Sequence, residues 1–221
     1  MTKEEVLRLC DHTLLRTDAG FDEIAENCRL ALRFGCASIC LPPAYVYEAK
    51  KLLGDRLKVC TVVGFPNGYN DTATKVFEAR RLIEEGADEI DAVINISWAV
   101  SGLYDTVADE LAELRKATGG SVLKVIVESC RLPEAVLRAV CHVVSRAGAD
   151  FIKSSTGFAE RGATVRDIAI MRAECAAETK IKAAGGISSF ADAERLIAAG
   201  ADRLGTSRLV KLMCAGEGKL K

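Results

Sequence analysis

The tripeptide Gly-Ala-Asp occurs three times, at 86–88, 148–150 and 200–202, and each copy separates a segment of helical periodicity from a short apolar run. Glycine readily takes the left-handed conformation that ends a helix, and the apolar runs that follow have the length of strands. The chain is therefore expected to repeat one βα unit of about 25–30 residues.

Read in order, apolar runs predict strands over 10–15, 37–41, 58–65, 89–96, 122–127, 151–153, 181–184 and 203–205, after a short helix near 2–9. Phe21, Ile24, Ala25, Cys28 and Leu32 fall on one helical face, and Pro42-Pro43 opens a helix carrying Val46, Ala49, Leu52 and Leu53. Further helices are predicted over 72–86, 132–146, 163–177, 188–199 and 207–214. Eight strands, each followed by a helix, within 221 residues suit a compact TIM (β/α)8 barrel with a short extra N-terminal helix better than an open doubly wound sheet. The whole chain, 1–221, is expected to be one domain, with a mobile tail over 216–221.

Thirty basic against thirty-one acidic residues leave no net field, and no basic run tracks a phosphate backbone, so nucleic acid is not an expected partner. No stretch reaches the roughly 18 apolar residues of a membrane span, and the charged start Met1-Thr2-Lys3-Glu4-Glu5 is unlike a signal peptide. A cytoplasmic location follows as an expectation. The nine cysteines include no C-x-x-C pair, and there are only two histidines, His12 and His142, so no metal centre is expected.

In such a barrel the active site lies at the carboxyl ends of the strands. Four predicted strands carry a charge there: Asp91 in the fourth, Lys124 in the fifth, Lys153 at the end of the sixth and Lys182 in the seventh. A strand lysine can snorkel to water, or it can be a buried amine that serves as a nucleophile for carbonyl carbon. Lys153 and Lys182 would be on neighbouring strands, and two ammoniums in one cavity repel, so one is expected to titrate low. The residues themselves do not choose between the two. Ala184-Gly185-Gly186-Ile187-Ser188-Ser189 and Leu204-Gly205-Thr206-Ser207 lead from the last two strands into helices. Glycines there let backbone N–H groups approach an anion, which points to a phosphorylated substrate.

Several motifs together are identifiable: Asp11-His12-Thr13, Val63-Gly64-Phe65-Pro66-Asn67-Gly68, Glu89-Ile90-Asp91, Lys124-Val125-Ile126-Val127-Glu128, Phe151-Ile152-Lys153-Ser154-Ser155-Thr156-Gly157-Phe158, Lys182-Ala183-Ala184-Gly185-Gly186-Ile187 and Leu204-Gly205-Thr206-Ser207. In this order and spacing they resemble the deoxyribose-phosphate aldolase family. The resemblance implies a metal-free, cofactor-free class I aldolase acting on a phosphosugar and an aldehyde. It makes Lys153 the Schiff-base lysine, Lys182 the neighbouring ammonium that lowers its pKa, and Asp91 the acid/base group. Gly157, Gly185, Gly186, Gly205 and Ser207 would line the phosphate end. Asp11, Thr13, Cys40 and Thr156 would lie near the sugar or the chemistry, and Lys124 joins the substrate-binding set. A homo-oligomer, dimer or tetramer, is also implied.

Two departures from the family pattern matter. Phe158 stands where some members have a phosphate-contacting lysine, so the anion is expected to rely on backbone amides and Ser207. The tail Gly216-Glu217-Gly218-Lys219-Leu220-Lys221 lacks the C-terminal tyrosine of some members. The rival readings are another phosphosugar barrel enzyme, either a different Schiff-base aldolase or an isomerase, and a non-catalytic barrel.

Overall fold

The computed structural model describes residues 1–217. Eight parallel strands close into a barrel in which each pairs with its neighbours in chain order and the last pairs with the first. They are β1 (Cys10–Thr13), β2 (Ser38–Cys40), β3 (Lys58–Val63), β4 (Glu89–Val93), β5 (Val122–Ile126), β6 (Phe151–Lys153), β7 (Lys180–Ala184) and β8 (Arg203–Thr206). The short helix α1 (Lys3–Leu7) precedes β1, with Thr2 and Glu5 forming a reciprocal cap. Around the barrel run α2 (Phe21–Arg33), α3 (Val46–Leu53), α4 (Thr72–Glu84), α5 (Ile96–Val100), α6 (Tyr104–Thr118), α7 (Glu134–Arg146), α8 (Val165–Glu174), α9 (Phe190–Ala198) and α10 (Leu209–Glu217). This is the expected (β/α)8 barrel with its extra N-terminal helix. No helix among the described residues is long and apolar enough to cross a membrane.

The Gly-Ala-Asp repeat acquires a mechanical meaning. Gly86, Gly148 and Gly200 all have positive φ, at 103°, 70° and 114°, and the alanine after each is buried. The aspartate then reaches back to the start of the preceding strand. Its carboxylate accepts the backbone N–H of Val59 (2.9 Å), Leu123 (2.8 Å) or Ile181 (2.8 Å). Its own N–H donates to the carbonyl of the same residue. Each copy thus ends a helix, buries a small side chain and sets the register of two adjacent strands.

The first five strands are shorter than their apolar runs predict, β6 matches its run, and β7 and β8 are each one residue longer. β3 stops at Val63 because Gly64 turns with φ 61°, and β4 stops at Val93 because Asn95 caps α5, accepting from Trp98 N–H at 3.3 Å. Ile96, predicted as strand, therefore opens a helix. Pro43–Tyr45 form a 3-10 turn before α3 rather than its first turn. Of the tail predicted to be mobile, Gly216 and Glu217 end α10, and 218–221 lie outside the described residues.

The apolar core lies mostly between strands and helices, with Val6, Leu7, Ile39, Ile90, Leu111, Val125, Ile152 and Ile181 all fully buried. Strand alternation sends the intervening residues into the barrel. That interior is not apolar, and it holds the site.

Candidate active site

Asp11, Glu89, Asp91, Lys124, Lys153, Lys182 and Arg203 fill the barrel interior as one ion network. Asp91 is its centre. Oδ2 accepts from Lys153 Nζ and Lys182 Nζ, each at 2.7 Å, and Oδ1 from Lys124 Nζ at 2.7 Å and the Cys60 thiol at 3.2 Å. Lys182 Nζ also lies 2.5 Å from Asp11 Oδ2, and Lys124 Nζ 2.6 Å from Glu89 Oε2. Arg203 closes the lower end, with Nη1 at 2.5 Å from Asp11 Oδ1 and 3.4 Å from Glu89 Oε2. Four cations thus face three carboxylates.

Burial pushes the Asp91 carboxyl up, but the ammoniums of Lys124, Lys153 and Lys182 outweigh it and hold it well below the usual carboxylate range. Asp11 is lowered on the same balance, burial opposed by Lys182, Lys124 and Arg203. For Lys182 burial favours the neutral amine, yet Asp11 and Asp91 reverse this and raise it above an ordinary lysine. Lys182 is therefore not the low-titrating lysine expected from like-charge repulsion. The carboxylates of Asp11 and Asp91, at 2.5 Å and 2.7 Å from its Nζ, outweigh the repulsion of the neighbouring ammonium. Lys124 is raised in the same sense, burial being outweighed by Asp91, Cys60, Asp11 and Glu89.

Above this network the strand ends open into a cleft of about 310 Å³. Lys153, Thr13, Thr156, Gly157, Gly185, Gly186, Gly205 and Ser207 all line it, so the structure brings these eight sequence candidates together. Two glycines have a steric reason. A Cβ on Gly205 would lie 3.2 Å from Lys182 Cε, so the lysine passes over that bare backbone. Gly185, with φ 77°, meets Gly162 so closely that a Cβ on Gly162 would lie 2.1 Å from the Gly185 carbonyl.

The other five candidates lie elsewhere. Asp91 and Lys182 are fully buried in the network under Lys153. Asp11, Lys124 and Cys40, expected near the substrate, do not line the cleft. Register gives the reason: Ile126, not Lys124, opposes Lys153, so Lys124 sits one inward step toward the amino end. Asp11 is one such step below Thr13, which does reach the cleft. Cys40 is covered by Leu15 and Phe65 and pairs in register with Cys60.

Sequence reasoning missed several participants. Glu89 and Arg203 are charges in strands, the criterion that singled out Lys124, and were identifiable on it. Lys211 and Arg16 line the cleft, so the anion end has two cations besides backbone amides and Ser207. Arg16 is already paired with Asp18 and Glu23 at 2.5 Å each. Lys211 has no ion-pair partner among the described residues. Glu128 holds a left-handed backbone, φ 51°, and its buried carboxylate accepts from Thr156 N–H at 3.3 Å and from the Thr156 hydroxyl. A strained residue locked by such contacts is typical of functional loops. Glu128 and Thr156, with Asn67, Asn95, Ser97 and Arg131, line an adjoining cavity of about 240 Å³. Phe158, edge-on to Phe65 with centroids 5.3 Å apart, borders both cavities.

Two donor sets have the spacing of a metal site: Cys40, Cys60 and Asp91, and Asp11, Cys60 and Glu89, each with ligand atoms within 4.8 Å. Lys124 Nζ already contacts Cys60, Asp91 and Glu89, so a cation of the protein itself serves these donors. What the arrangement offers chemically is a primary amine at the floor of a cleft, against a buried ionised carboxylate and a permanent ammonium. Glycine backbone at the far end, where N–H groups can approach closely, suits an anion.

Known proteins resemble this chain in sequence and fold. Residues 6–207 match the family model described as DeoC/LacD family aldolase. The deoxyribose-phosphate aldolase of Clostridioides difficile is 47% identical over 210 residues, covering 95% of this chain and 96% of that protein. That of Streptococcus agalactiae serotype Ia is 48% identical over 213 residues, covering 96% of each. The deoxyribose phosphate aldolase of Aeropyrum pernix, described as a unique tetramer, superposes with a TM-score of 0.90 at 30% identity, covering 98% of this chain and 92% of that one. The chain belongs to the DeoC/LacD family of aldolases.

Proposed function

We propose that this chain reversibly cleaves 2-deoxy-D-ribose 5-phosphate to D-glyceraldehyde 3-phosphate and acetaldehyde, with Lys153 as the Schiff-base lysine. The observation that carries the reading is the placement of Lys153 Nζ: at the cleft floor, 2.7 Å from the buried Asp91 carboxylate. The lone pair of the neutral amine attacks the sugar's aldehyde carbon, water leaves, and an iminium forms. Removal of the carbon-three hydroxyl proton then breaks the bond between carbons two and three. Its electron pair moves toward the iminium to give an enamine, and glyceraldehyde 3-phosphate departs. Protonation at carbon two and hydrolysis release acetaldehyde and the free amine.

Asp91 is the acid/base group in this scheme, working through a water because its carboxylate lies below the cleft. Lys182 is the fixed ammonium beside it. The network has one cation more than carboxylates, and it is even in charge when the amine the substrate meets is neutral. Gly157, Gly185, Gly186, Gly205, Ser207 and Lys211 hold the phosphate, which sits near the start of α10 where the helix dipole favours an anion. Thr13 and Thr156 face the sugar. Asp11, Lys124 and Cys40 act from beneath, Asp11 and Lys124 by fixing the charges of Lys182 and Asp91.

The rest of the reading is a single-domain protein of 1–221, working in the cytoplasm as a dimer or tetramer. The tetrameric Aeropyrum pernix relative supports the assembly. The test is intact-mass spectrometry after incubation with 2-deoxyribose 5-phosphate and sodium borohydride, with peptide mapping. A reduced adduct on Lys153 is expected. An adduct on Lys182 would reverse the two roles, and no adduct on folded protein would overturn the reading.

A further inference from the structure

A second buried ion pair lies outside the barrel, between helices. Lys75, in the first turn of α4, and Glu110, in the middle of α6, are both almost wholly buried, and Nζ lies 3.0 Å and 2.9 Å from the two Glu110 oxygens. Neither contacts the cleft. Both are instead bound to main chain at the carboxyl end of β4. Lys75 Nζ donates to Val93 O at 2.9 Å, and Glu110 Oε1 accepts from Asn95 N–H at 3.2 Å. These are the backbone groups left unpaired where the strand runs out, two and four residues beyond Asp91. The stem of Lys75 also packs on Gly64, where a Cβ would lie 3.0 Å from Cε. One turn on, Glu78 accepts Gly64 N–H at 2.8 Å. The ends of β3 and β4 are thus held by α4 and α6 through charge.

Attraction between the two charges does not by itself account for this choice of residues. Burial lowers Lys75 and raises Glu110, and in each case it outweighs the partner's attraction. Buried pairs of this kind are commonly replaced by apolar residues at no cost in stability. What an apolar pair would not do is bind Val93 O and Asn95 N–H.

We infer that Lys75 and Glu110 are positioning residues for the cleavage step, holding the end of β4 so that Asp91 and the Asn95 turn keep their place under and beside the cleft. The inference rests on the reading of Asp91 as the acid/base group. Misplacement of about 1 Å at a reacting group can cost on the order of 100-fold, so loss of the clamp should appear in kcat.

The test is the double variant Lys75→Met/Glu110→Leu. It should still fold, with a lowered thermal midpoint because Val93 O and Asn95 N–H lose their partners, and borohydride should still trap substrate on Lys153, whose amine the substitutions do not touch. Its kcat for cleavage should fall about 10- to 100-fold with KM little changed. In Glu110→Gln the amide oxygen still accepts from Asn95, and Lys75, which burial already favours as the neutral amine, can accept from the amide NH2 while still donating to Val93 O, so kcat should stay within about threefold of the parent. A double variant that is stable and has parental kcat overturns the inference, as does Glu110→Gln if it is as impaired as the double variant. Should the double variant not fold, Lys75→Met alone decides: protonated Glu110 still meets Asn95, Val93 O is released, and parental kcat overturns the inference. Absence of trapping in the parent would instead reject the aldolase reading, which keeps the two failures distinct.

Discussion

Lys153 and Lys182 share one acceptor: both Nζ atoms sit 2.7 Å from Oδ2 of Asp91. Adjacent strands put them there, since the two lysines are register partners across β6 and β7. They differ in what else they touch. Lys182 has a second carboxylate, Asp11, and is enclosed, whereas Lys153 has only Asp91 and faces the cleft. That difference supports the proposal of Lys153, rather than Lys182, as the nucleophile, a choice that the chemistry of the side chains alone leaves open.

The first expectation concerns Lys153 itself. Lys153→Met removes the nucleophile and should lower cleavage by about 10³-fold or more, with no borohydride adduct. Because it also leaves three cations against three carboxylates, it should not lower the urea midpoint. Activity near the parent's would exclude Lys153 as the Schiff-base residue.

Asp91→Asn should do the opposite to stability. It leaves Lys124, Lys153 and Lys182 buried without their common partner, and breaking a buried pair costs about 3–5 kcal/mol. Urea unfolding measures this directly. Adding Lys124→Met should recover part of the loss, because the two sites are in contact and their effects are not additive.

Lys211 should set the preference for the phosphorylated sugar. A charge-assisted contact contributes about 1.5–3 kcal/mol, so Lys211→Met should raise KM for 2-deoxyribose 5-phosphate by about tenfold or more. KM for unphosphorylated 2-deoxyribose should stay as it is. Equal change for both sugars would remove Lys211 from the phosphate end.

His12 should make stability pH-dependent. Its ring is 1% exposed, and Nε2 lies 2.8 Å from Asn27 Oδ1. Burial lowers its pKa, opposed by the Asn27 bond and helped by the charge of Lys211. A depressed folded pKa means that its stability contribution is complete above the unfolded value of about 6.5 and is lost as pH falls below it. Urea midpoints at about pH 7.5 and 5.5 should show a drop in the parent that is smaller in His12→Gln. The exposed His142 is common to both proteins and cancels.

Much of the site was legible because its logic is local. A lysine in Phe151-Ile152-Lys153 is anomalous in an apolar strand, and glycines after the last two strands let backbone amides approach an anion. Lys211 was not legible, since a lysine on a helix surface is ordinary until the fold shows that this turn of α10 faces the cleft. Glu128 was hidden for a different reason: its positive φ leaves no mark on residue type.

By itself the sequence determined the repeating unit. Gly-Ala-Asp ends a helix by backbone conformation, buries a methyl group and returns a carboxylate to the strand before it, all within a few dozen residues. Only tertiary structure decided which charges meet. Closure of the barrel sets Arg203 against Asp11, 192 residues away, and register decides that Thr13 reaches the cleft while Asp11 and Lys124 stay beneath it. Pairwise electrostatics inside a low-dielectric interior depends on distances of a few ångströms. Those distances are set by closure and register, so no local pattern contains them.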